Sequence, residues 1–341
     1  MHAFSRILAT AATALALLAA PALAAPALAA DKPVLNVLTY SGFSGEYGPG
    51  PELKKQFEAT CNCTLAYTGL EDAGTLVARL QLEGAATKTD VLLGIDQNLM
   101  GEAKATGLFA PSSPGTHGLK LPVEWTDDTF LPFDYGWFAF VYDSAKLKNP
   151  PTSLQALVDA PDSLKIVIED PRTSTPGLGL LLWTQSVFGD KAPQAWSKLK
   201  PKIVTVTKGW SEAYGLFLKG EADMVLSYTT SPAYHIEAEK KDNYAAAAFS
   251  EGHYLQVEVA AALKSSAQPE LAKKFLAFLV SKDAQALLPT TQWMYPVNAA
   301  GALPAGFDKL VTPAKSLNFD SAIVAKNRKA WIDAWLAATA K

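Results

Sequence analysis

The residues best suited to holding a small molecule lie between Lys208 and Tyr234. Met224, Val225 and Leu226 form a short apolar run, which is typical of a strand buried on both faces. A hydroxyl-rich turn soon follows it, made of Tyr228, Thr229, Thr230 and Ser231. Proline at the next position suits the first residue of a helix that Ser231 would cap. Ligands of open α/β sheets usually lie where the carboxyl end of a strand meets a helix N-terminus, so this turn is a candidate binding site.

Three aromatic residues flank the turn: Trp210, Tyr228 and Tyr234. Each one alone is more simply explained as a core residue, but three beside a polar strand end favour a binding site. The segment before the strand is predicted to be a helix that Ser211 caps and Gly220 ends. We expect His235 to lie on an ordinary helix surface.

A second candidate turn follows the predicted strand that begins at Lys165. It places Ser174 and Thr175 directly before Pro176, which again marks the start of a helix. The free N–H groups and the dipole of a helix start favour an anion or an oxygen-rich group. Helix capping alone explains these residues about equally well, but two such turns in one part of the chain favour binding.

An acidic pair and two loop aromatics are weaker candidates. Asp72, after Glu71, can pair with a cation or accept a hydrogen bond from an amino group, although a solvated turn or helix cap is the simpler interpretation. Asp96 is a lesser candidate of the same kind. Tyr47 and Trp293 lie in loops, where an aromatic ring can stack on a flat ligand or face a cation for ~0.5–2 kcal/mol. Packing beneath a loop explains both residues equally well.

The elements that must position these residues alternate between strands and helices, which predicts an α/β fold with a mostly parallel sheet and helices on both faces. The predicted strands are Val34–Tyr40, Cys63–Thr68, Asp90–Ile95, Lys165–Glu169 and Ile203–Thr207. Two longer apolar stretches, Phe130–Asp143 and Tyr254–Leu263, suit strands that cross between two lobes. One amphipathic helix is predicted over Pro269–Leu287.

This pattern divides the chain into four segments. Residues 1–30 are predicted to be a signal peptide, because Arg6 precedes an apolar stretch and small-residue cleavage patterns. Residues 31–135 form the first segment of lobe 1, residues 136–255 form lobe 2, and residues 256–341 return to lobe 1 and add the C-terminal helices. A ligand cleft between the lobes, closed by a hinge motion, is expected for this arrangement.

Charge and composition favour a binding protein over an enzyme. The formal net charge is −3, and loss of Arg6 with the signal peptide makes it more negative. This argues weakly against a nucleic-acid partner and is compatible with a cationic ligand. Export favours an oxidised Cys61–Cys63 pair, which would staple a helix end. The sequence lacks the common hydrolase, phosphate-loop and zinc-protease motifs, so we predict no catalytic residue, no metal and no cofactor.

Long stretches of the chain resemble the family of periplasmic thiamine-binding proteins, the capture components of bacterial thiamine ABC transporters. The resemblance runs from about Val34 to Trp335. It is carried by GPGPELKK at 48–55, CNC at 61–63, PFDYGWFAFVYD at 132–143, DPRTSTPGLGLLLW at 170–183, VTVTKGWSEAYGLFLKGEAD at 204–223, VLSYTTSPAYHI at 225–236, FSEGHYLQVEVAA at 249–261 and WMYPV at 293–297. It implies the two-lobed periplasmic binding protein fold of the type with two crossover strands, with the ligand cleft between the lobes.

The resemblance also implies a ligand and its contacts. The implied ligand-binding residues are Asp72, Ala73, Ser174, Thr175, Trp210, Tyr228, Thr229, Thr230, Ser231, Tyr234, Trp293 and Tyr47. Tyr47 stands where the family often has tryptophan, and Ser41 where it often has a carboxylate. The aromatic residues would hold the aminopyrimidine and the thiazolium of thiamine, Asp72 would take the amino group or balance the charge, and the two hydroxyl-rich turns would hold the tail oxygen or phosphate.

The expected function is therefore periplasmic capture of thiamine, with its mono- and diphosphate, and delivery to an inner-membrane ABC permease. Two alternatives stay open. A ferric-ion-binding protein of the same fold would use tyrosines such as Tyr228 and Tyr234. A thiamine-degrading enzyme would need Cys61 or Cys63 free as a nucleophile.

Overall fold

The computed structural model describes residues 32–111, 114–299 and 301–340. The signal-peptide prediction for residues 1–30 therefore lies outside the described residues. The strands are β1 Val34–Tyr40, β2 Thr64–Leu70, β3 Val91–Asp96, β4 Leu131–Asp143, β5 Ile166–Glu169, β6 Ile203–Thr207, β7 Met224–Tyr228, β8 Tyr244–Ala246, β9 His253–Ala262, β10 Tyr295–Pro296 and β11 Ser316–Leu317. The helices are α1 Ser41–Ser44, α2 Gly50–Cys61, α3 Leu76–Glu83, α4 Met100–Ala105, α5 Leu154–Asp159, α6 Thr175–Phe188, α7 Ala192–Leu199, α8 Trp210–Leu218, α9 Ser231–Tyr234, α10 Pro269–Leu279, α11 Lys282–Thr291 and α12 Ser321–Thr339.

The main strands form one mixed sheet in the order β2-β1-β3-β9-β4-β7-β5-β6. At one end β1 pairs in parallel with β2 and β3, and at the other β5 pairs in parallel with β6 and β7. Between these groups β9 and β4 run antiparallel to their neighbours. We call β2-β1-β3 with α2, α3, α10 and α11 the first lobe, and β7-β5-β6 with α6, α7 and α8 the second lobe.

Strand β4 joins the two lobes. Its first half pairs with β9 up to Trp137, and its second half pairs with β7 from Phe138 onward. Strand β9 is buried along its whole length and pairs with β3 of the first lobe. The prediction of two long strands between the lobes is confirmed. Both strands lie in the middle of the sheet, where burial on both faces requires nearly continuous apolar residues.

Within the described residues, three hydrophobic cores hold the layers together. In the first lobe, Phe57 of α2 packs edge to face on Phe275 of α10, with ring centroids 5.2 Å apart. The largest core extends through both lobes and includes the fully buried Trp183 of α6. A small core beneath α8 contains Tyr214 and Phe217. This last core fixes the helix that carries Trp210.

Three predicted helix boundaries or caps are wrong. The helix predicted over Pro269–Leu287 is two helices, since the Ser281 hydroxyl accepts the N–H of Ala284 and starts α11. Helix α8 begins at Trp210 with Gly209 as its N-cap, so Ser211 does not cap it. Ser231 lies inside the short α9, because its hydroxyl accepts the N–H of Tyr228 instead of capping the helix.

The two cysteines of the chain are paired. Cys61 and Cys63 form a disulfide at the C-terminal end of α2, as expected of a staple.

The C-terminal helix α12 packs against helices in the surroundings of both lobes. It contacts α4 and α7, and Arg328 forms an ion pair with Glu102 at 2.7 Å. Of the helices in the described part of the chain, none is both long and apolar enough to cross a membrane. The domain boundaries at 135 and 255 stay predictions.

Candidate functional site

The two lobes meet at Asp72. Its side chain belongs to the turn after β2, and its carboxylate accepts the backbone N–H of Thr175 at 3.2 Å and that of Trp210 at 3.1 Å. These N–H groups start α6 and α8 of the second lobe, so a carboxylate of one lobe caps two helices of the other. The positive end of each helix dipole favours the negative charge placed there. Asp72 is therefore a bridge between the lobes.

The close approach at this point depends on two glycines. A Cβ at Gly74 would lie 2.4 Å from the backbone carbonyl of Thr173, and a Cβ at Gly209 would lie 3.2 Å from a carboxylate oxygen of Asp72. Any side chain at Gly74 would push the turn of the first lobe away from the start of α6. The glycines therefore permit the contact that Asp72 makes.

Burial opposes the charge on Asp72. Its side chain is almost completely buried, which raises its pKa to about 6 against the opposing effect of the Trp210 and Thr175 N–H groups. The group is thus largely ionised at neutral pH and largely protonated near pH 5. A cationic ligand beside it would favour the ionised form.

Trp210 lies directly beside this bridge. Its indole N–H donates to the hydroxyl of Ser227 at 2.8 Å, and its ring stacks on Tyr214 with centroids 4.9 Å apart. Tyr214 in turn bonds His235 through its hydroxyl at 2.8 Å. His235 is fully buried and stacks on Tyr244, so the prediction of a surface position is wrong. These contacts fix the orientation of the indole plane.

The hydroxyl-rich turn from Tyr228 to Ser231 lies at the carboxyl end of β7, as predicted. The hydroxyl of Ser231 bonds that of Ser227 at 2.7 Å, which ties the turn to Trp210. Thr229 and Thr230 are buried, and the hydroxyl of Thr230 lies 3.7 Å from the sulfur of Met294. The turn therefore touches the loop after α11 as well as α8.

A buried polar network lies on the crossover strands below the turn. The Tyr228 hydroxyl donates to Gln256 at 3.2 Å, and the Gln256 amide donates to Glu258 at 3.2 Å. Tyr40, at the end of β1, donates its hydroxyl to both carboxylate oxygens of Glu258 at 3.1 Å, and receives a hydrogen bond from Gln292. The network therefore connects the end of β1 in the first lobe and the end of β7 in the second lobe to strand β9.

This region is acidic. Burial raises the pKa of Tyr228 well above its usual value, and the neighbouring charges of Glu258, Asp72 and Glu169 raise it further. Burial also raises the pKa of Asp134, which lies opposite Glu258 on the paired strand. A cation placed among these groups would replace part of the hydration that they lose on burial.

The aromatic residues at the outer side form a looser group. Tyr234 is 38% exposed and meets Trp293 edge to face, with ring centroids 5.5 Å apart. Trp293 has a positive φ of 59°, which places it in the left-handed region and turns the chain sharply after α11. Tyr47 is 89% exposed, in the loop after α1. The first residue of α1, Ser41, donates its hydroxyl to the carbonyl of Glu71 in the acidic turn at 3.3 Å.

The structure thus brings most of the predicted residues together. Ala73 is buried at the start of the turn that follows Asp72, Ser174 is the buried N-cap residue of α6, and Thr175 begins that helix. Tyr47 contacts none of these residues in the described part of the chain, so its role stays a prediction. The expectation that the N–H of Thr175 is free for a phosphate is wrong, because Asp72 accepts its hydrogen bond.

Sequence reasoning missed several polar residues near the site, on the long strands and at the ends of neighbouring elements. These are Tyr40, Asp134, Glu169, Gln256, Glu258 and Gln292. A signal was present, because Asp134, Gln256 and Glu258 interrupt long apolar runs, where an unpaired charge is costly. Their partners are distant in sequence, so the sequence does not reveal what they contact.

The pairing of the cysteines bears on one of the two alternative functions, the thiamine-degrading enzyme. The chain has two cysteines, and they are bonded to each other. A cysteine-dependent reaction requires a thiolate, which a disulfide cannot supply.

Comparisons with known proteins place the chain in a family of solute-binding proteins. Residues 46–286 match the family described as "Bacterial extracellular solute-binding protein". The chain is 61% identical over 310 residues to the "Thiamine-binding periplasmic protein" of Escherichia coli (strain K12), covering 91% of this chain and 94% of that protein. It is 52% identical over 311 residues to the protein of the same name from Brucella abortus, covering 91% and 93%. A solved structure named "Periplasmic thiamin binding protein" superposes with a TM-score of 0.89 at 61% identity, covering 91% of this chain and 97% of that one.

Proposed function

The chain belongs to the family of bacterial extracellular solute-binding proteins, and from this premise we propose that its cleft captures thiamine in the periplasm. Relatives at 61% and 52% identity are named thiamine-binding periplasmic proteins. The geometric observation that carries the proposal is the position of Trp210, whose backbone N–H donates to the carboxylate that joins the two lobes and whose indole is held by Ser227 at the end of β7. A flat aromatic cation needs such a surface and such a charge together.

Each part of thiamine has a complementary group in the cleft. The thiazolium carries a permanent positive charge, which Asp72 and the neighbouring acidic residues balance. Trp210 and Tyr228 supply ring faces, and a cation over such a face gains ~0.5–2 kcal/mol. Tyr234 and Trp293 close the outer side, and Tyr47 folds over the ligand from its loop. The hydroxyls of Ser174 and Thr229 hold the hydroxyethyl oxygen.

Thiamine monophosphate and diphosphate are proposed as weaker ligands. A phosphate gains from free helix N–H groups, but Asp72 already accepts hydrogen bonds from the N–H groups of Thr175 and Trp210. A phosphate at this point would meet a carboxylate, and like charges at short range oppose binding. We therefore expect thiamine to bind at least as tightly as either phosphate ester.

The protein is a transport component and, we propose, not an enzyme. Capture by closure around Asp72 buries the ligand between two lobes, and release requires the lobes to separate. A membrane ABC permease is the proposed partner that triggers this opening and receives thiamine.

A fluorescence titration tests the proposal. The mature protein is unfolded, dialysed free of ligand, refolded and titrated with thiamine, the monophosphate, the diphosphate and ferric citrate. The proposal predicts saturable quenching of tryptophan fluorescence by thiamine and no iron-dependent visible band. A visible band that is lost in Tyr228→Phe, without a response to thiamine, would instead establish the iron-binding alternative.

A further inference from the structure

Glu169 is a buried carboxyl group that receives no hydrogen bond from any other residue of the described chain. It is the last residue of β5 and is 1% exposed. A buried polar group that lacks a hydrogen-bond partner is costly, because it has lost its contact with water, so a bound ligand that pairs with Glu169 would relieve this cost.

The strand places this side chain at the binding site. Val167, two residues earlier, packs in the small core beneath α8 with Tyr214, and side chains two apart on a strand share a face. Val167 also pairs with Val225 of β7, so the same register brings Glu169 level with Ser227, the residue that bonds the indole of Trp210. Glu169 therefore points toward the start of α8.

Glu169 also lies close to the start of α6. A Cβ at Gly177 would lie 2.5 Å from the carbonyl oxygen of Glu169, so the first turn of α6 packs directly against the backbone of Glu169. The charge of Asp72 raises the pKa of Glu169, and a charge on Glu169 raises the pKa of Tyr228, so the three side chains lie close to one another. The hydroxyl of Thr229, which follows β7, is also buried and has no hydrogen-bond partner in the described chain. Two buried polar groups without partners in the described residues, at the ends of the neighbouring strands β5 and β7, indicate a ligand.

We propose that Glu169 determines ligand specificity by binding the aminopyrimidine edge of thiamine, which presents an amino donor beside a ring-nitrogen acceptor. A carboxyl group that keeps its proton matches this edge with two parallel hydrogen bonds. Its carbonyl oxygen accepts from the amino group, and its O–H donates to the ring nitrogen. This assignment leaves Asp72 to balance the thiazolium.

The environment favours the protonated form. Burial raises the pKa of Glu169 well above its usual value, and the nearby charge of Asp72 raises it further. Glutamine offers the same pair of groups, an acceptor oxygen and a donor N–H, in nearly the same shape. Methionine has a similar length but lacks the donor and offers only a weak acceptor. These two substitutions therefore separate recognition of the edge from simple space filling.

The inference rests on the proposed function, and one set of titrations separates the two. Wild type, Glu169→Gln and Glu169→Met are titrated calorimetrically with thiamine and with an analogue that carries hydrogen in place of the amino group. We expect wild type to prefer thiamine by at least about tenfold, because a site built to bond a polar group discriminates against a ligand that lacks it. Glu169→Gln should keep thiamine affinity within about threefold, and Glu169→Met should lose about tenfold or more together with the preference.

Each other outcome has a definite meaning. Absence of thiamine binding by wild type would overturn both the function and the role of Glu169. Binding of thiamine and the analogue with equal affinity by wild type would overturn only the role of Glu169, whatever the variants do. A tenfold loss in Glu169→Gln would overturn the neutral pairing, and an unchanged preference in Glu169→Met would show that Glu169 does not contact the amino group. Thermal unfolding of each variant confirms that it is folded before titration.

Discussion

Among single residues, Asp72 and Trp210 matter most for the proposed binding of thiamine. The sequence predicts both as candidate binding residues, because an acidic turn after a strand and a tryptophan at a helix start are visible in it. Their contact was not predictable, since 138 residues separate them. The same limit applies to Glu169, whose lack of a partner is a property of the fold and not of its neighbours in the chain.

Ligand binding should depend on pH through Asp72. Its pKa of about 6 means that it is protonated near pH 5, and binding a cation then requires loss of that proton. For a single group of this pKa, affinity for thiamine should fall about tenfold from pH 7 to pH 5. Calorimetry at several pH values measures this change, and Asp72→Asn should remove most of it. A flat profile in wild type would contradict a charge-balancing role for Asp72.

The same pKa sets the sign of one contribution to stability. Because burial raises the pKa above the unfolded value of 3.8, the folded state holds the proton more tightly. Asp72 thus destabilises the fold fully above about pH 6, and this cost disappears as the pH falls toward 3.8.

Trp210→Ala should weaken thiamine binding by about tenfold, because it removes a ring face worth ~0.5–2 kcal/mol and the indole hydrogen bond to Ser227. Trp331→Phe is the control, since Trp331 lies in α12 and its ring contacts that of Phe319 at a tilted angle. Calorimetric titration of both variants makes the comparison. Equal affinities for wild type and Trp210→Ala would remove Trp210 from the site.

At the scale of elements, the site is built where three turns converge: the one after β2 and the starts of α6 and α8. Sequence patterns located these turns to within a few residues, because proline, glycine and hydroxyl residues mark helix starts. The exact caps were harder to predict. Ser281 and Ser231 have the same side chain, but only Ser281 caps a helix, because the hydroxyl of Ser231 bonds Tyr228 and Ser227 instead.

Gly74→Ala should separate the turn of the first lobe from the start of α6. The new Cβ would meet the Thr173 backbone at 2.4 Å, which rigid backbone cannot relieve by a rotamer change. We expect thiamine affinity to fall at least about tenfold. Gly215→Ala is the control, because that helical position has no atom within 4 Å of the added Cβ and alanine favours a helix by up to ~1 kcal/mol. Wild-type affinity in Gly74→Ala would show that the close approach is not needed.

The disulfide is a local device and should matter little for binding. It closes a loop of three residues, and a loop of this size stabilises the fold by about 1.5 kcal/mol in the chain-entropy estimate. The double variant Cys61→Ser, Cys63→Ser should lose about that much in urea unfolding and bind thiamine as wild type does. Loss of thiamine binding in this variant would place the cysteines at the site.

At the scale of the whole molecule, the long strands β4 and β9 determine the architecture. Their nearly unbroken apolar runs made the two-lobed fold predictable, since only a strand buried on both faces carries such a pattern. The polar network of Tyr40, Gln256, Glu258 and Gln292 was not predictable, because it joins three elements that are far apart in the sequence: β1, β9 and the end of α11. This network connects the cleft to β9, one of the two strands between the lobes, about which a hinge motion would take place.

The cleft should hold one thiamine between the lobes. Calorimetric titration of the mature protein, freed of ligand by unfolding and refolding, measures the stoichiometry and the affinity. We expect saturable binding of one thiamine per chain. A folded, ligand-free protein that takes up no thiamine at any pH between 5 and 8 would show that the cleft does not capture this ligand.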